Sequence, residues 1–168
     1  GVGKTRLAQQ FVQFLRERRL PYYVGRGQSY GKNMASLPIR SLMRDYSGIE
    51  DNDTGDAARA KIEERVRGLL AKYVEQRSEA LAWFVGYPYK DAALDRLEPK
   101  ARAQMVEASI IEILQTTAEK EGPLVLVMED THWYDPISLA LIEQFSRSFE
   151  DYPILVQLLY RPEFDDPF

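Results

Sequence analysis

Five residues at the start of the chain have the types and the order of a phosphate-binding loop. Gly1, Val2, Gly3, Lys4 and Thr5 fit the second half of the pattern G-x-x-x-x-G-K-[ST]. Glycines let backbone N–H groups approach phosphate oxygens, and the N-terminus of the following helix attracts the anion. In this pattern Lys4 reaches the β- and γ-phosphates, while the Thr5 hydroxyl holds Mg²⁺. The alternative is a glycine-rich helix start that binds no ligand.

Two acidic residues stand directly after an unbroken apolar run. Residues 124–128 read LVLVM, and Glu129 and Asp130 follow. A buried strand that ends in two carboxylates suits ATP hydrolysis, because one acid orients the Mg²⁺ shell and the other positions the attacking water. We assign Glu129 to the metal and Asp130 to the water, with the reverse assignment left open. An exposed acidic turn is the alternative for the pair taken alone.

Arg161 is the third candidate catalytic residue. It follows a second apolar run, residues 154–160, and it precedes Pro162, which favours an extended backbone. Ligands of open parallel sheets bind at the carboxyl ends of the strands, so we expect Arg161 to lie on the same edge as the acids. A guanidinium there is suited to sensing a γ-phosphate. A surface salt bridge to Glu163 is the alternative.

His132 is the only histidine of the chain and follows the acidic pair. Four roles are possible for His132: it could contact the γ-phosphate side of a nucleotide, orient a carboxylate, pack against neighbouring residues, or cap the next helix. A metal site made with Glu129 and Asp130 is a further alternative. Mg²⁺ bound through a nucleotide is the simpler account.

The elements that must position these residues alternate between helices and strands. Apolar periodicity and Gly or Pro breaks predict helices at 5–19, 38–48, 56–77, 100–120 and 136–149, with shorter helices within 79–99. They predict strands at 21–26, 123–129 and 154–160, the last two buried as in a parallel sheet. We therefore predict an α/β, three-layer P-loop fold in which residues 1–168 are one partial domain with a helical insertion at about 37–120.

The amino-acid composition limits the classes of molecule that the protein is expected to bind. The chain has 168 residues, 22 basic and 26 acidic, so its net charge of -4 argues against direct nucleic-acid binding through a broad basic surface. No cysteine is present for a disulfide or a cysteine zinc site. The absence of an apolar membrane span and of a signal peptide predicts a cytoplasmic protein without membrane contact. The chain starts without Met inside the loop pattern, so we expect a first strand upstream and a lid after Phe168.

Residues 129–139, EDTHWYDPISL, resemble the extended Walker B motif of STAND ATPases, which are signal-transduction ATPases related to the AAA+ class. The STAND ATPases of bacterial multidomain regulators, which occur beside cyclase, kinase or DNA-binding domains, are also similar to this chain at residues 25–31, 37–40 and 160–164. The resemblance implies ATP as ligand, Mg²⁺ as cofactor and Arg161 as the sensor arginine. Leu159 departs from the pattern, because relatives often carry a small polar residue there.

Two functions follow from these observations. The first is slow, Mg²⁺-dependent ATP hydrolysis that acts as a switch in a larger signalling or transcription-regulating protein. Its partners would be ATP and ADP, other domains of the parent chain and, through nucleotide-dependent self-assembly, further copies. The alternative is a non-catalytic nucleotide-binding scaffold that orders an assembly. A small-molecule kinase has less support, since no acceptor site is visible in the sequence.

Overall fold

The computed structural model of the protein describes residues 3–29 and 35–160, although not the side chains of Lys4 and Thr5. Within these residues the chain forms six α-helices and three strands, joined in two places by short 3₁₀ turns. In chain order they are α1 (Lys4–Glu17), β1 (Tyr22–Arg26), α2 (Leu37–Tyr46), α3 (Gly55–Leu69), α4 (Val74–Val85), α5 (Pro99–Glu121), β2 (Leu124–Glu129), α6 (Pro136–Ser148) and β3 (Ile154–Leu158).

The three strands form one parallel sheet in the order β1-β2-β3. Leu126 of β2 lies opposite Tyr23 on one side and Val156 on the other. At the carboxyl edge of the sheet, Arg26 lies opposite Glu129. The parallel α/β architecture predicted from the sequence is therefore confirmed.

The central strand is buried on both faces, which explains its unbroken apolar run. Leu124, Leu126 and Met128 belong to the large core that the sheet forms with the helices from α2 to α6. Val125 and Val127 point to the opposite face and pack in a smaller cluster with α1. Strands alternate their side chains between faces, so only a strand covered on both sides requires apolar residues at every position.

Helix α1 runs antiparallel to the strands that it covers. Its Leu15 packs in the cluster with Val24 of β1, and near its end Arg16 Nε donates a hydrogen bond to the Tyr22 hydroxyl at 2.6 Å. The end of α1 therefore lies beside the start of β1. Because 14 helical residues extend about 21 Å and six strand residues about 20 Å, the first turn of α1 reaches the level of the carboxyl edge.

The predicted helix at 56–77 is wrong: the chain forms two helices there. Helix α3 ends at Leu69, Leu70 is extended, and α4 begins after Tyr73, whose φ of 59° is left-handed. Lys120 Nζ from α5 donates a hydrogen bond to the Leu69 carbonyl at 2.6 Å. This contact satisfies one of the carbonyls that lose their partners at a helix end. Helix α4 ends at Val85, directly before Gly86, and a short 3₁₀ helix follows at Ala93–Arg96, so the predicted short helices within 79–99 are confirmed except that the first begins earlier, at Val74.

The third strand is shorter and more exposed than predicted. It ends at Leu158 rather than at residue 160, and Leu155 is 52% exposed. Within the described part of the chain β3 pairs with β2 alone, so its other edge has no strand partner there. The expectation of a further strand beside it stays a prediction. Among the described helices, none combines the length and apolar character needed to cross a bilayer.

Candidate functional site

The start of α1 depends on a glycine. Gly3 precedes the helix with a φ of 131°, a conformation that residues with a Cβ rarely adopt. Its carbonyl accepts the first helical hydrogen bond, from the Leu7 N–H at 2.8 Å. The first N–H groups of the helix have no acceptor within the helix itself and carry the positive end of its dipole. This end of α1 is chemically suited to an anion.

An ion pair joins the carboxyl ends of β1 and β2. Arg26 Nε lies 3.2 Å from Glu129 Oε2, with side-chain exposures of 59% and 35%. The two residues are neighbours in register, and opposed residues on adjacent strands project to the same face. The Glu129 carboxylate is therefore accessible to solvent and already has a cation beside it.

Asp130 occupies a tight turn directly after β2. Its backbone is left-handed, with φ 54° and ψ 43°, and its side chain is exposed. The turn is fixed on both sides. Thr131 donates its N–H to the Leu159 carbonyl at 2.9 Å and its hydroxyl to the Met128 carbonyl at 3.2 Å. Asp130 thus projects from the same edge as Glu129 on a backbone held by β2 and by the end of β3.

Gly27 makes this turn possible. Its N–H donates to the Glu129 carbonyl at 2.9 Å, which extends the pairing of β1 with β2. A Cβ placed on Gly27 would lie 2.4 Å from the Asp130 carbonyl oxygen and 3.0 Å from two ring atoms of Tyr134. Because the first neighbour is backbone, a side chain could be accepted only if the Asp130 turn moved.

We expect Gly27→Ala to lower the free energy of unfolding by about 1–3 kcal/mol, as overpacking usually does, and to reduce ATP hydrolysis by displacing Asp130. Denaturant unfolding and single-turnover hydrolysis measure the two effects. Gly68→Ala is the matched control, because a Cβ there meets nothing within 4 Å and alanine favours the helix. Equal stability and activity of both variants would contradict the close approach seen at Gly27.

Tyr134 supports the site from beneath. Its hydroxyl donates a hydrogen bond to the Gly25 carbonyl at 3.1 Å, and the residue is buried. Burial, together with the nearby charges of Glu129 and Asp130, raises the pKa of Tyr134 well above its usual value. The phenol is therefore neutral at all physiological pH values and stays a hydrogen-bond donor.

Asp135 connects the acidic turn with two helices. Its carboxylate is buried and accepts hydrogen bonds from the N–H groups of Ile137 and Ser138, both at 3.0 Å, as the N-cap of α6. It also accepts from the Ser138 hydroxyl and, at 3.1 Å, from the N–H of Ser36 at the start of α2. The predicted Asp-Pro helix start is confirmed, and the same carboxylate anchors the segment that leads into α2.

The His132 ring lies beside the Trp133 ring, with centroids 4.9 Å apart and the planes tilted by 44°. The alternative of a metal site built from His132, Glu129 and Asp130 is not supported, since no group of three possible ligands of this kind comes together within the described residues. The cap of α6 is provided by Asp135, so the capping alternative for His132 is wrong.

The predicted site residues fall into two groups. The structure places Glu129 and Asp130 at the carboxyl edge, and the packing and length of α1 put the helix start at Gly3 near the level of that edge. Gly1, Val2 and Arg161, and the side chains of Lys4 and Thr5, lie outside the described residues. Sequence reasoning missed Arg26 and Gly27, although the Gly-Arg-Gly that ends the first strand was a visible signal.

Comparison with known proteins places the chain in a family. The sequence matches the AAA ATPase domain family over residues 1–157. One curated relative, an uncharacterized protein of Rhizobium meliloti (strain 1021), is 30% identical over 67 residues, which are 40% of this chain and only 6% of the relative. No solved structure matches the chain significantly. Since the family match covers nearly the whole chain and the sheet and its acidic edge agree with it, the chain belongs to the AAA ATPase domain family.

Proposed function

We propose that this AAA ATPase domain is a nucleotide-dependent switch of the STAND class that binds ATP with Mg²⁺ and hydrolyses it slowly. Family membership indicates ATP binding and hydrolysis. The observation that carries the proposal is the convergence of a glycine-started helix and the Glu129–Asp130 turn toward one edge of a parallel sheet. Ligands bind at this edge in open α/β sheets.

The proposed roles follow from the chemistry of each group. The loop Gly1–Thr5 would bind the phosphates, with Lys4 as a point charge and the Thr5 hydroxyl as a ligand of Mg²⁺. The acidic edge fits Mg²⁺, because two carboxylates stand there with solvent access and hard cations prefer oxygen ligands. When bound, Mg²⁺ would neutralise charge on the phosphates. We propose Glu129 as its ligand and Asp130 as the group that orients the attacking water.

Two further arginines complete the proposal. Arg161 would read the γ-phosphate and so distinguish ATP from ADP. Arg26 would affect the binding of Mg²⁺, before hydrolysis begins, because it is paired with Glu129, the carboxylate that we assign to the metal. A guanidinium beside Glu129 opposes the approach of another cation by simple Coulomb repulsion. We therefore propose that Arg26 must release Glu129, at least in part, before the metal is bound.

Arg26→Ala is expected to lower the Mg²⁺ concentration that gives half-maximal hydrolysis by up to about fivefold, since exposed ion pairs contribute up to about 1 kcal/mol. A Mg²⁺ titration of hydrolysis at saturating ATP measures this shift. Arg26→Lys keeps the charge and should change it less, and Arg96→Ala, an exposed arginine of the insertion, should not change it. An increased Mg²⁺ requirement would instead mean that Arg26 contacts the nucleotide.

Single-turnover hydrolysis separates the switch from the scaffold alternative. A switch converts bound ATP to ADP at a measurable rate that depends on Mg²⁺ and on Asp130. A scaffold binds ATP with similar affinity and leaves it intact for many hours. Retention of unhydrolysed ATP by the parent protein under these conditions would overturn the catalytic part of the proposal.

The regulatory part concerns the parent protein. The chain aligns with only 6% of the length of its Rhizobium relative, which is compatible with a module of a long protein. We propose that other domains of the parent chain read the nucleotide state and that ATP promotes self-assembly. Sedimentation of the parent protein with ATP, ADP or a non-hydrolysable analogue tests this, and identical sedimentation in all three states would contradict it.

A further inference from the structure

A cleft lies toward the end of the sheet opposite the acidic edge. It has a volume of about 450 Å³ and opens where the end of α2, the middle of α3 and the end of α5 meet. Arg65 in its wall donates a hydrogen bond to the hydroxyl of Tyr23, near the start of β1. Tyr23 lies opposite Leu126, about 10 Å along β2 from Glu129, so the cleft is at a different level of the sheet from the nucleotide edge.

A buried hydroxyl in the cleft wall has no partner. Ser47 lines the cleft, is only 6% exposed, and its Oγ forms no hydrogen bond to any residue in the described part of the chain. Burial of a hydroxyl without a hydrogen bond is destabilising, so such a group requires an explanation. The oxygen has almost no exposed surface, so the Ser47 side chain would first turn about χ1 toward the cleft, where a polar group of a ligand would supply the missing partner.

One face of α3 presents both charges to the cleft. Lys61, Glu64 and Gly68 all line it and fall within two turns of the helix. Lys61 Nζ donates to the Gly48 carbonyl at 3.0 Å and to Asp53 Oδ2 at 2.7 Å, which leaves its third N–H available. The Glu64 carboxylate is exposed and has no ion pair or hydrogen bond among residues 3–29 and 35–160.

The other charged pair in the wall is already engaged. Arg65 donates to both carboxylate oxygens of Glu121, one of them at 2.8 Å, and its guanidinium lies 4.7 Å from the centre of the Tyr46 ring. Hydrogen bonding to Glu121 raises the pKa of Arg65 above its usual value, so this pair stays charged. The Arg65–Glu121 pair therefore forms a fixed part of the cleft wall. The polar groups that stay available to a ligand are those of Ser47, Lys61 and Glu64.

We propose that this cleft binds a small zwitterion whose ammonium and carboxylate are close together, as in a free α-amino acid. The carboxylate would accept hydrogen bonds from the Ser47 hydroxyl and from Lys61, and the ammonium would donate to Glu64. The lining carries two cations and two anions, which favours a ligand without net charge. Its described lining residues include no aromatic ring, which disfavours a stacked base, and the two glycines leave room for the ligand.

Calorimetric titration of the full chain with each of the standard L-amino acids tests the proposal. We expect saturable binding of at least one of them with a Kd of about 1 mM or tighter, both with and without ATP. The amide and the N-acetyl derivative of that amino acid each lack one charge and should bind about tenfold more weakly. No binding by any amino acid, equal binding of the derivatives, or displacement by ATP would overturn the proposal.

Three variants locate the binding. Gly68→Gln places a side chain in open space within the cleft and also favours the helix, so it should abolish binding without lowering the melting temperature. Ser47→Ala and Glu64→Gln should each weaken binding about tenfold. Glu119→Gln, an exposed carboxylate of α5 outside the cleft, should have no effect. Undiminished binding by the stably folded Gly68→Gln variant would overturn the assignment to this cleft.

Discussion

Replacement of Lys4 by alanine is expected to weaken the binding of ATP with Mg²⁺ by about 30- to 100-fold. The proposed role of Lys4 is a charge-assisted contact with the β- and γ-phosphates, and hydrogen bonds to charged groups contribute about 2–3 kcal/mol. Calorimetric titration of the parent protein with ATP and Mg²⁺ measures the loss. The effect should be larger for ATP than for AMP, which lacks the phosphates that Lys4 would contact.

Two variants control for nonspecific effects of this substitution. Lys90→Ala removes another cation from an exposed position between α4 and α5 and should leave the affinity unchanged. Lys4→Arg keeps the charge but replaces a compact ammonium by a planar fork, so it should recover only part of the affinity. An unaltered affinity of Lys4→Ala would remove the basis for a phosphate-binding loop at the start of α1.

Asp130→Asn is expected to slow the hydrolysis of bound ATP by at least about tenfold and to leave ATP affinity nearly unchanged. An amide cannot accept the proton or orient the water as a carboxylate does, and general-base groups commonly contribute more than this factor. Because Asp130 is exposed and its turn is held by Thr131, the substitution should not disturb the fold. Single-turnover rates at saturating ATP measure the effect directly.

Glu129→Gln, tested beside it, decides which acid serves the metal. We expect Glu129→Gln to raise the Mg²⁺ requirement, whereas Asp130→Asn should lower the rate at every Mg²⁺ concentration. Asp151→Asn, an exposed aspartate in the turn before β3, is the matched control. If Asp130→Asn instead weakens binding and leaves the turnover of bound ATP unaffected, the two roles are reversed.

The ion pair between Arg26 and Glu129 links these expectations. Each residue ends its own strand, and 103 positions separate them in the chain. Pairing in register brings them together, so the charge state of the acidic edge is a property of the sheet. This contact also explains why the Mg²⁺ dependence of Arg26 variants is informative: it reports on the accessibility of one carboxylate.

Local pattern determined much of the fold. The apolar run of residues 124–128 predicted a strand buried on both faces, because no other element tolerates apolar side chains on both sides with so short a length. Asp135 followed by Pro136 predicted the start of α6, since a cap and a first-turn proline are both properties of neighbouring residues. The glycines and Lys4 likewise indicated phosphate chemistry from their order alone.

Long-range contacts decided the rest. The break between α3 and α4 escaped the sequence because the apolar period continues through it, while the carbonyl of Leu69 is satisfied by Lys120 from a distant helix. The ion pair at the acidic edge and the close approach at Gly27 arise from strand register and from a turn about a hundred residues away. The orphan hydroxyl of Ser47 and its cleft exist only where three helices meet. Sequence alone thus determined which residues are candidates for the chemistry, since residue type and spacing are local. Tertiary structure decided which charges meet, because contact between distant residues requires the packed sheet and its helices.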